Sequence, residues 1–227
     1  MRYPRAAGDS GAALRLKHKS VGYDVAYLGR GADVEFLRLW WFGYTRPSAF
    51  VEGIIARRGW LLGFGGQGVR VALDSLLEYL PVAIMGRVPP TPPVIPIPAN
   101  GYYWFLVFAA PTIIFAQMLL GSLAGHAILR ALGRESDLGF LVNVAGMTAL
   151  VVGAVIVVWD WTWFALGFHD QVFLGITHLL LDGWGIYLSV LAMRRRLGVP
   201  VTLGIGLNIV GIVVALSLAV PFMRSPF

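Results

Sequence analysis

The chain has no cysteine among its 227 residues, and only 13% of them are charged. Without cysteine it has no disulfide framework, no cysteine nucleophile and no thiolate ligands for zinc or an iron–sulfur cluster. Soluble globular domains carry roughly 25% charged residues. The scarcity of charge therefore argues against a soluble protein, and a hydrophobic content of 57% supports the same conclusion.

The hydrophobic residues form long uninterrupted segments. About twenty apolar residues in a helix cross a hydrocarbon core of ~30 Å. We therefore predict an all-α polytopic integral membrane protein whose domain 60–227 contains five transmembrane helices. The predicted spans are 60–85, 102–129, 138–158, 171–193 and 200–220.

Residues 1–59 are predicted to be a basic cytosolic region. Within it, DVEFLRLWWFGY (33–44) and SAFVEGIIARR (48–58) mix apolar and charged residues, which is typical of short amphipathic helices in the headgroup layer. One or two such interfacial helices are expected, with Trp40 and Trp41 as membrane anchors. Residues 1–20 contain little apolar material and are expected to become ordered on a partner.

The distribution of Lys and Arg predicts the orientation in the membrane. With five spans and a cytosolic N-terminus, the inner side holds fifteen of these residues, whereas the outer side holds Arg87 and Arg224. Basic residues in short loops favour the cytoplasmic side. We expect a protein of the cytoplasmic membrane with an outer C-terminus. An excess of Arg over Lys, sixteen against two, is typical of a GC-rich prokaryote.

Two outer loops follow from this topology. The segment 87–100 contains six prolines, which predict an extended connector. The loop 159–170 is aromatic and acidic. Trp159, Trp161 and Trp163 are predicted to be interfacial anchors there.

A first group of ionisable residues lies within the first predicted span. Arg70, Asp74 and Glu78 follow at intervals of four, which places them on one side of a helix. Because an ionisable group facing lipid is costly, this side is expected to turn inward or toward water. Two interpretations remain open, an Arg–Asp ion pair within the helix and a polar pathway for protons.

A second group lies on the fourth predicted span, where His178 and Asp182 are one turn apart. A carboxylate in that position can orient the imidazole or complete a metal site. Together with His169 and the nearby Asp160 and Asp170, the pair could bind a metal near the outer surface. The other interpretation is a buried polar pair that hydrogen-bonds neighbouring helices.

Other motifs carry less chemistry. Gly121 and Gly125 form a GxxxG pattern, which favours close helix packing. A single haem would not reach both His126 and His178, because their predicted depths differ by ~18 Å. The sequence has no GxSxG or HExxH pattern. The glycines at 63, 65, 66 and 68 follow no predicted strand and precede no Lys-Ser/Thr, so they do not indicate a nucleotide-binding loop. We therefore expect no catalytic residues, no enzymatic activity and no cofactor other than bound lipid.

Several features occur in an order that resembles the Yip-domain family, which are multi-pass proteins named for binding Rab-type GTPases. The matching residues are Arg46-Pro47-Ser48-Ala49-Phe50, then Ile54, Ile55, Arg57, Arg58 and Trp60-Leu61-Leu62 before a weak first span, a proline-rich outer loop, Leu129-Arg130-Ala131-Leu132-Gly133 after the second span, and Trp184 ahead of a basic turn. The resemblance covers about 46–222. It implies five helices, a cytosolic N-terminus and no catalytic residues.

The expected function is that of a non-catalytic membrane interaction protein, an accessory, assembly or scaffold subunit of a larger complex. Its expected partners are other integral membrane proteins and anionic lipid headgroups rather than nucleic acid. One alternative is a small transporter or proton-conducting element that uses Arg70, Asp74, Glu78, His178 and Asp182. Another is a metal- or haem-binding redox subunit that uses the outer histidines.

Overall fold

The computed structural model describes residues 32–89, 94–168 and 170–222, and all regular elements within these ranges are helical. The predicted all-α class is confirmed for this part of the chain. Residues 1–20, with their predicted partner-binding role, lie outside the described residues. The elements are α1 (Ala32–Thr45), α2 (Pro47–Ile55), α3 (Leu61–Leu73), a π-helical segment (Asp74–Tyr79), α4 (Leu80–Ile84), a short 3-10 turn (Ala99–Gly101), α5 (Tyr102–Ala131), α6 (Leu138–Ala165), α7 (Gln171–Leu197) and α8 (Val201–Ala219).

Four helices of the described part are long and apolar enough to cross a membrane. They are Ala99–Ala131, Leu138–Ala165, Val172–Leu197 and Val201–Ala219. They coincide with the second to fifth predicted spans and support a multi-pass helical membrane protein. The first predicted span is not among them, since it contains three charged residues and is divided by the π-helical segment.

The predicted loop 159–170 is helical in its first part. Helix α6 continues to Ala165, and Gly167 with a φ of +74° follows its end. No proline or glycine interrupts the aromatic stretch before that point, so the helix has no local reason to stop at residue 158. Trp159, Trp161 and Trp163 therefore lie on the helix rather than in an outer loop.

The first hydrophobic segment is one continuous helical rod from residue 61 to 84, here called the α3–α4 helix. It runs beside α6 in the same direction. Near one end, the backbone N–H of Gly63 donates to Asn143 Oδ1 at 2.8 Å, and near the other, Trp161 Nε1 donates to the carbonyl of Leu77 at 2.6 Å. The eighteen residues between Asn143 and Trp161 correspond to about 27 Å of helix. The α3–α4 helix thus accompanies a membrane-length helix for most of its course.

Glycines allow the α3–α4 helix to touch the backbone of α6. A Cβ added at Gly63 or Gly146 would overlap the backbone of the facing helix, and one at Gly66 would lie 2.8 Å from the Gly146 carbonyl oxygen. The predicted packing glycines make looser contacts. A Cβ at Gly121 would be 3.6 Å from Gly211 Cα, and one at Gly125 would meet nothing within 4 Å. The tightest helix crossing therefore involves glycines other than the GxxxG pair.

Helices α1 and α2 pack against the long helices. Phe50, Val51 and Ile54 are fully buried in a hydrophobic cluster shared with α6 and α7. On α1, the hydroxyl of Tyr44 donates to the carbonyl of Val151 at 2.6 Å. Helices α1 and α2 therefore belong to the same hydrophobic core as the long helices.

The two tryptophans of α1 differ in their surroundings. Trp40 is half-buried and donates from Nε1 to the Tyr44 hydroxyl at 3.1 Å, whereas Trp41 is 62% exposed. Arg38 and Arg46 both lie over the ring of Phe42, at 5.3 and 5.6 Å from its centroid. The exposed side of α1 thus combines an aromatic ring with two cations, a combination typical of the headgroup layer.

Candidate functional site

A cavity of about 690 Å³ lies among α5, α6, α7, α8 and the π-helical segment. Its lining along α6 extends from Leu141 to Asp160. These nineteen residues correspond to about 28 Å of helix, so the cavity is elongated along the bundle. Its volume falls in the range of small-molecule sites, roughly 300–1,000 Å³.

Four carboxylates, one guanidinium and one imidazole line this cavity. The α3–α4 helix contributes Arg70, Asp74 and Glu78, α6 contributes Asp160, and α7 contributes His178 and Asp182. The sequence predicts them as two separate groups, and the fold brings them into one wall. The extension of α6 beyond residue 158 is what places Asp160 among them.

Arg70 forms an ion pair within its own helix. Its Nε lies 3.3 Å from Asp74 Oδ2, and the carboxylate is buried while the guanidinium is partly exposed. The Arg70 side chain occupies the space beside Gly153, where a Cβ would be 2.7 Å from Nε. The structure therefore contains the predicted Arg–Asp pair, and it also places that pair at the cavity wall.

His178 bonds a carboxylate from another helix. Its Nε2 lies 2.6 Å from Oδ1 of Asp160, whose side chain is 4% exposed. Asp182, the predicted partner one turn away, makes no hydrogen bond with the described residues and faces the cavity. The bond to Asp160 joins α6 to α7 and leaves the Asp182 carboxylate without a hydrogen bond among the described residues.

The described residues contain no group of three or more His, Asp or Glu side chains arranged to hold a metal ion. His169 lies outside the described residues, so the metal site of His169, His178 and Asp182 stays a prediction. His126 is at the opposite end of the bundle, where its Nδ1 bonds Ser136 Oγ at 2.8 Å.

Two buried polar side chains at the cavity lack partners. Glu78 is 8% exposed and makes no hydrogen bond with the described residues. Ser122 is 6% exposed, and its hydroxyl has no partner. Buried polar groups are normally hydrogen-bonded, so each such exception requires an explanation. The Glu78 carboxylate is within reach of a polar ligand in the cavity, whereas the Ser122 oxygen is enclosed by protein.

The π-helical segment positions two of the acids. It runs from Asp74 to Tyr79 and interrupts an otherwise α-helical rod. Asp74, Glu78 and Tyr79 are buried and line the cavity. Single π-helical turns occur frequently at functional sites, because the extra residue re-aims the side chains of one turn.

The charges at the cavity do not balance. Four carboxylates, those of Asp74, Glu78, Asp160 and Asp182, face one guanidinium, that of Arg70, and one imidazole. Full ionisation would leave an excess of negative charge away from bulk water, which is unfavourable unless protons or a cation neutralise it. The arrangement is therefore suited to binding a positively charged group.

The other end of the cavity carries no charged residue. Its lining there includes Thr148, whose hydroxyl bonds the Val144 carbonyl of its own helix at 2.7 Å, and Asn208, whose amide bonds Gly204 in the same way at 2.8 Å. Its remaining lining is largely small and apolar, including Gly121, Gly125, Ala145, Ala149 and Gly211.

The cavity lies where α7 and α8 pack loosely. On α8 the buried residues are Gly204 and Leu207, and on α7 burial is concentrated at 188–193. A Cβ at Gly204 would be 3.3 Å from the Val190 side chain. Both sets lie near the turn that joins the two helices. The burial pattern indicates that α7 and α8 are in close contact at this end and leave a gap beside the acidic end.

The tryptophans at the end of α6 link it to neighbouring helices. Trp159 Nε1 donates to Thr177 Oγ1 at 2.9 Å, which links α6 to α7. Trp163 is 6% exposed and stacks on Phe173 at a centroid distance of 5.4 Å. With the bond from Trp161 to Leu77, these contacts hold the helices that carry the acidic groups.

Sequence reasoning missed Ser122 and Gln117, which line the cavity, and the role of Asn143, whose amide bonds the start of the α3–α4 helix. A signal for the cavity wall was present in the positions 141, 145, 148, 152, 156 and 160, which recur at helical spacing along α6. That pattern does not show which other helices complete the cavity wall.

Comparisons of the chain with protein-family models, with curated proteins and with solved structures find no match. The resemblance to the Yip-domain family stays a prediction.

Proposed function

We propose that this chain is a five-span membrane protein that binds a cationic ligand in its acidic cavity, either for transport or as a receptor. The observation that carries the proposal is the convergence of four carboxylates on one wall, with Glu78 buried and without a hydrogen-bond partner among the described residues. A cationic ligand would neutralise the excess charge and bond the free carboxylates.

The α3–α4 helix supplies the fifth span in this proposal. Its 24 residues from 61 to 84 correspond to about 36 Å, enough to cross a hydrocarbon core of ~30 Å. Its polar side faces α6 and the cavity rather than lipid, since Asp74 and Glu78 are 5% and 8% exposed. This placement makes the three ionisable residues compatible with a membrane span.

The proposed orientation places the end of α2 and the loops near residues 130–137 and 194–200 on the cytosolic side, whereas α1 reaches the middle of α6, where Tyr44 bonds the Val151 carbonyl. Arg195 supports the location of α2, because its guanidinium donates to Ser48 Oγ at 2.9 Å. The basic loops and α2 therefore share one end of the bundle. The acidic end of the cavity then faces the outer side of the cytoplasmic membrane.

A direct test measures saturable binding of tetraphenylphosphonium to the protein in nanodiscs of zwitterionic lipid. The double variant Glu78→Gln, Asp182→Asn should bind this cation at least tenfold more weakly than the unaltered protein. The matched control is Glu135→Gln, since the Glu135 side chain is 72% exposed at the opposite end. Equal affinity in all three proteins, or no saturable binding, would contradict the proposal.

A second candidate function is the accessory, assembly or scaffold role predicted from the sequence. The observation in its favour is the exposed apolar surface of α7 and α8, which is free to contact other membrane helices. Its members include Leu179, Leu180, Trp184, Val213 and Leu216. Purification from the native membrane in a mild detergent tests this role: a partner retained by the unaltered protein should be lost when Leu180 and Val213 are both replaced by Trp. Retention by the double variant would remove this candidate.

A further inference from the structure

We infer that the ligand of the cavity is an amphiphile that bears an amine at one end and an apolar chain at the other. The inference rests on the proposed function and narrows it to a class of ligand. Its basis is the division of the cavity into an acidic part and an apolar part that continue into each other.

The two parts occupy different depths. Arg70 lies beside Gly153, and Asp160 bonds His178, so the ionisable groups lie from about residue 152 of α6 toward its outer end. From Leu141 to Val152 the lining of α6 carries no charge. This stretch of eleven residues corresponds to about 16 Å, long enough for the chain of a dodecyl group.

Glycines on α5 and α8 leave open space in the apolar part of the cavity. A Cβ added at Gly125 or Gly211 would meet nothing within 4 Å, although both residues line the cavity between packed helices. The walls around this space lack contact partners. An alkyl chain would restore those contacts.

Glu78 argues for the amine at the acidic end. Its side chain is 8% exposed, lines the cavity and forms no hydrogen bond with the described residues. An amine nitrogen would donate to the carboxylate of Glu78.

The position in the membrane fits this class of ligand. In the proposed orientation the acidic end lies toward the outer surface, and the apolar end lies nearer the inner one. An amphiphile in the outer leaflet has its head at the surface and its chain directed inward, as the cavity requires. The loose packing of α7 and α8 at the acidic end provides sideways access from the bilayer.

The test uses dodecylamine carrying a photoreactive diazirine at the end of its chain, with the protein in nanodiscs. Labelling should map to the apolar part, at 121–125 of α5 or 145–149 of α6. Dodecanoate carrying the same diazirine is the control for simple partition into the bilayer. We expect at least tenfold less labelling of these positions by the carboxylate, because it would face Glu78 and Asp182.

Two variants separate the apolar part from the acidic part. Ala149→Phe and Gly125→Val fill the apolar part and should reduce dodecylamine labelling at least fivefold. The matched control is Ile176→Phe, because Ile176 is 49% exposed and is not part of the cavity lining. Thermal stability of each variant shows whether it is folded, and having two positions keeps the test valid if one variant misfolds.

The outcomes distinguish this inference from the function on which it rests. Binding of tetraphenylphosphonium that depends on Glu78 and Asp182, without labelling of the apolar part by dodecylamine, would overturn the inference and leave the proposed function standing. Equal labelling by dodecanoate would overturn the choice of an amine. Absence of cation binding altogether would overturn both.

Discussion

Arg70 occupies the space that the missing side chain of Gly153 leaves open, and it holds the centre of the acidic wall. Its Nε is 3.3 Å from Asp74, and it also lies within electrostatic range of Asp182 and Glu78. The guanidinium therefore serves several carboxylates at once. Its removal leaves them without their cation, whereas removal of a single carboxylate leaves Arg70 with the others.

This asymmetry predicts unequal effects of substitution. Arg70→Met should lower the free energy of unfolding by about 3 kcal/mol, as expected when one partner of a buried ion pair is removed. Asp74→Leu should cost less, because Asp182 and Glu78 remain near the guanidinium. The measurement is unfolding of the purified protein in mixed micelles. A larger loss for Asp74→Leu than for Arg70→Met would contradict this account.

Asn143 is fully buried and uses both ends of its amide. Its Oδ1 accepts from the Gly63 N–H, and its Nδ2 donates to the Gly59 carbonyl at 2.8 Å. It thereby satisfies two backbone groups at the start of α3. The sequence shows a lone Asn in an apolar span, and it does not reveal that the partner is the backbone of a segment eighty residues away.

Asn143→Leu should lower the free energy of unfolding by at least about 2 kcal/mol, because each buried group left unpaired costs about 1–3 kcal/mol. Asn208→Leu is the matched control. The Asn208 amide bonds the carbonyl of its own helix, so its loss should cost less than about 1 kcal/mol. Thermal unfolding of both variants measures the difference, and similar losses would show that the Asn143 bonds contribute little.

At the scale of elements, the spans were predictable to different degrees. Length and hydropathy are enough to locate α5, α7 and α8, because each is a long apolar run between basic or proline-rich turns. The end of α6 could not be predicted in this way. Its aromatic residues are as typical of a membrane–water interface as of a helix that packs on neighbouring helices. The π-helical segment lies just before Pro81, which has no N–H to donate to the Leu77 carbonyl, and Trp161 supplies that hydrogen bond instead.

Among the helix contacts that involve glycine, the one between the α3–α4 helix and α6 leaves the least room for an added side chain. Gly63→Ala and Gly146→Ala should each destabilise the protein by at least about 2 kcal/mol, because the new methyl group would overlap the facing backbone. Gly125→Ala should be neutral or stabilising by up to ~1 kcal/mol, since Ala is the better helix former and space is available. Thermal unfolding of the three variants measures these effects, and an intolerant Gly125 would contradict the looser packing there.

At the scale of the whole molecule, the sequence predicts two separate groups of ionisable residues, but it does not predict that they line the same cavity. Arg70, Asp74 and Glu78 are visible as a helical triplet, and His178 and Asp182 as a second pair. Their convergence depends on which helices are neighbours, and that is decided by glycine contacts and tryptophan hydrogen bonds between distant segments. Neither contact type has a local pattern that would identify its partner.

The number of spans is open to a direct test, because the chain contains no cysteine of its own. Single cysteines at Ala56, Val94 and Glu135 occupy exposed positions before α3, after α4 and between α5 and α6. With five spans, Ala56→Cys and Glu135→Cys should react with a membrane-impermeant maleimide only after the cytosolic side is opened. Val94→Cys should react in intact cells, because it lies across the α3–α4 helix from Ala56.

A four-span protein would give a different pattern. If the α3–α4 helix stayed on one side of the membrane, Ala56→Cys and Val94→Cys would react from the same side, and Glu135→Cys from the other. The parallel course of the α3–α4 helix beside α6, held from Asn143 to Trp161, argues that a membrane containing one of these helices also contains the other. Labelling of Ala56→Cys and Val94→Cys from a common side would therefore contradict both the fifth span and the placement of the acidic cavity within the bilayer.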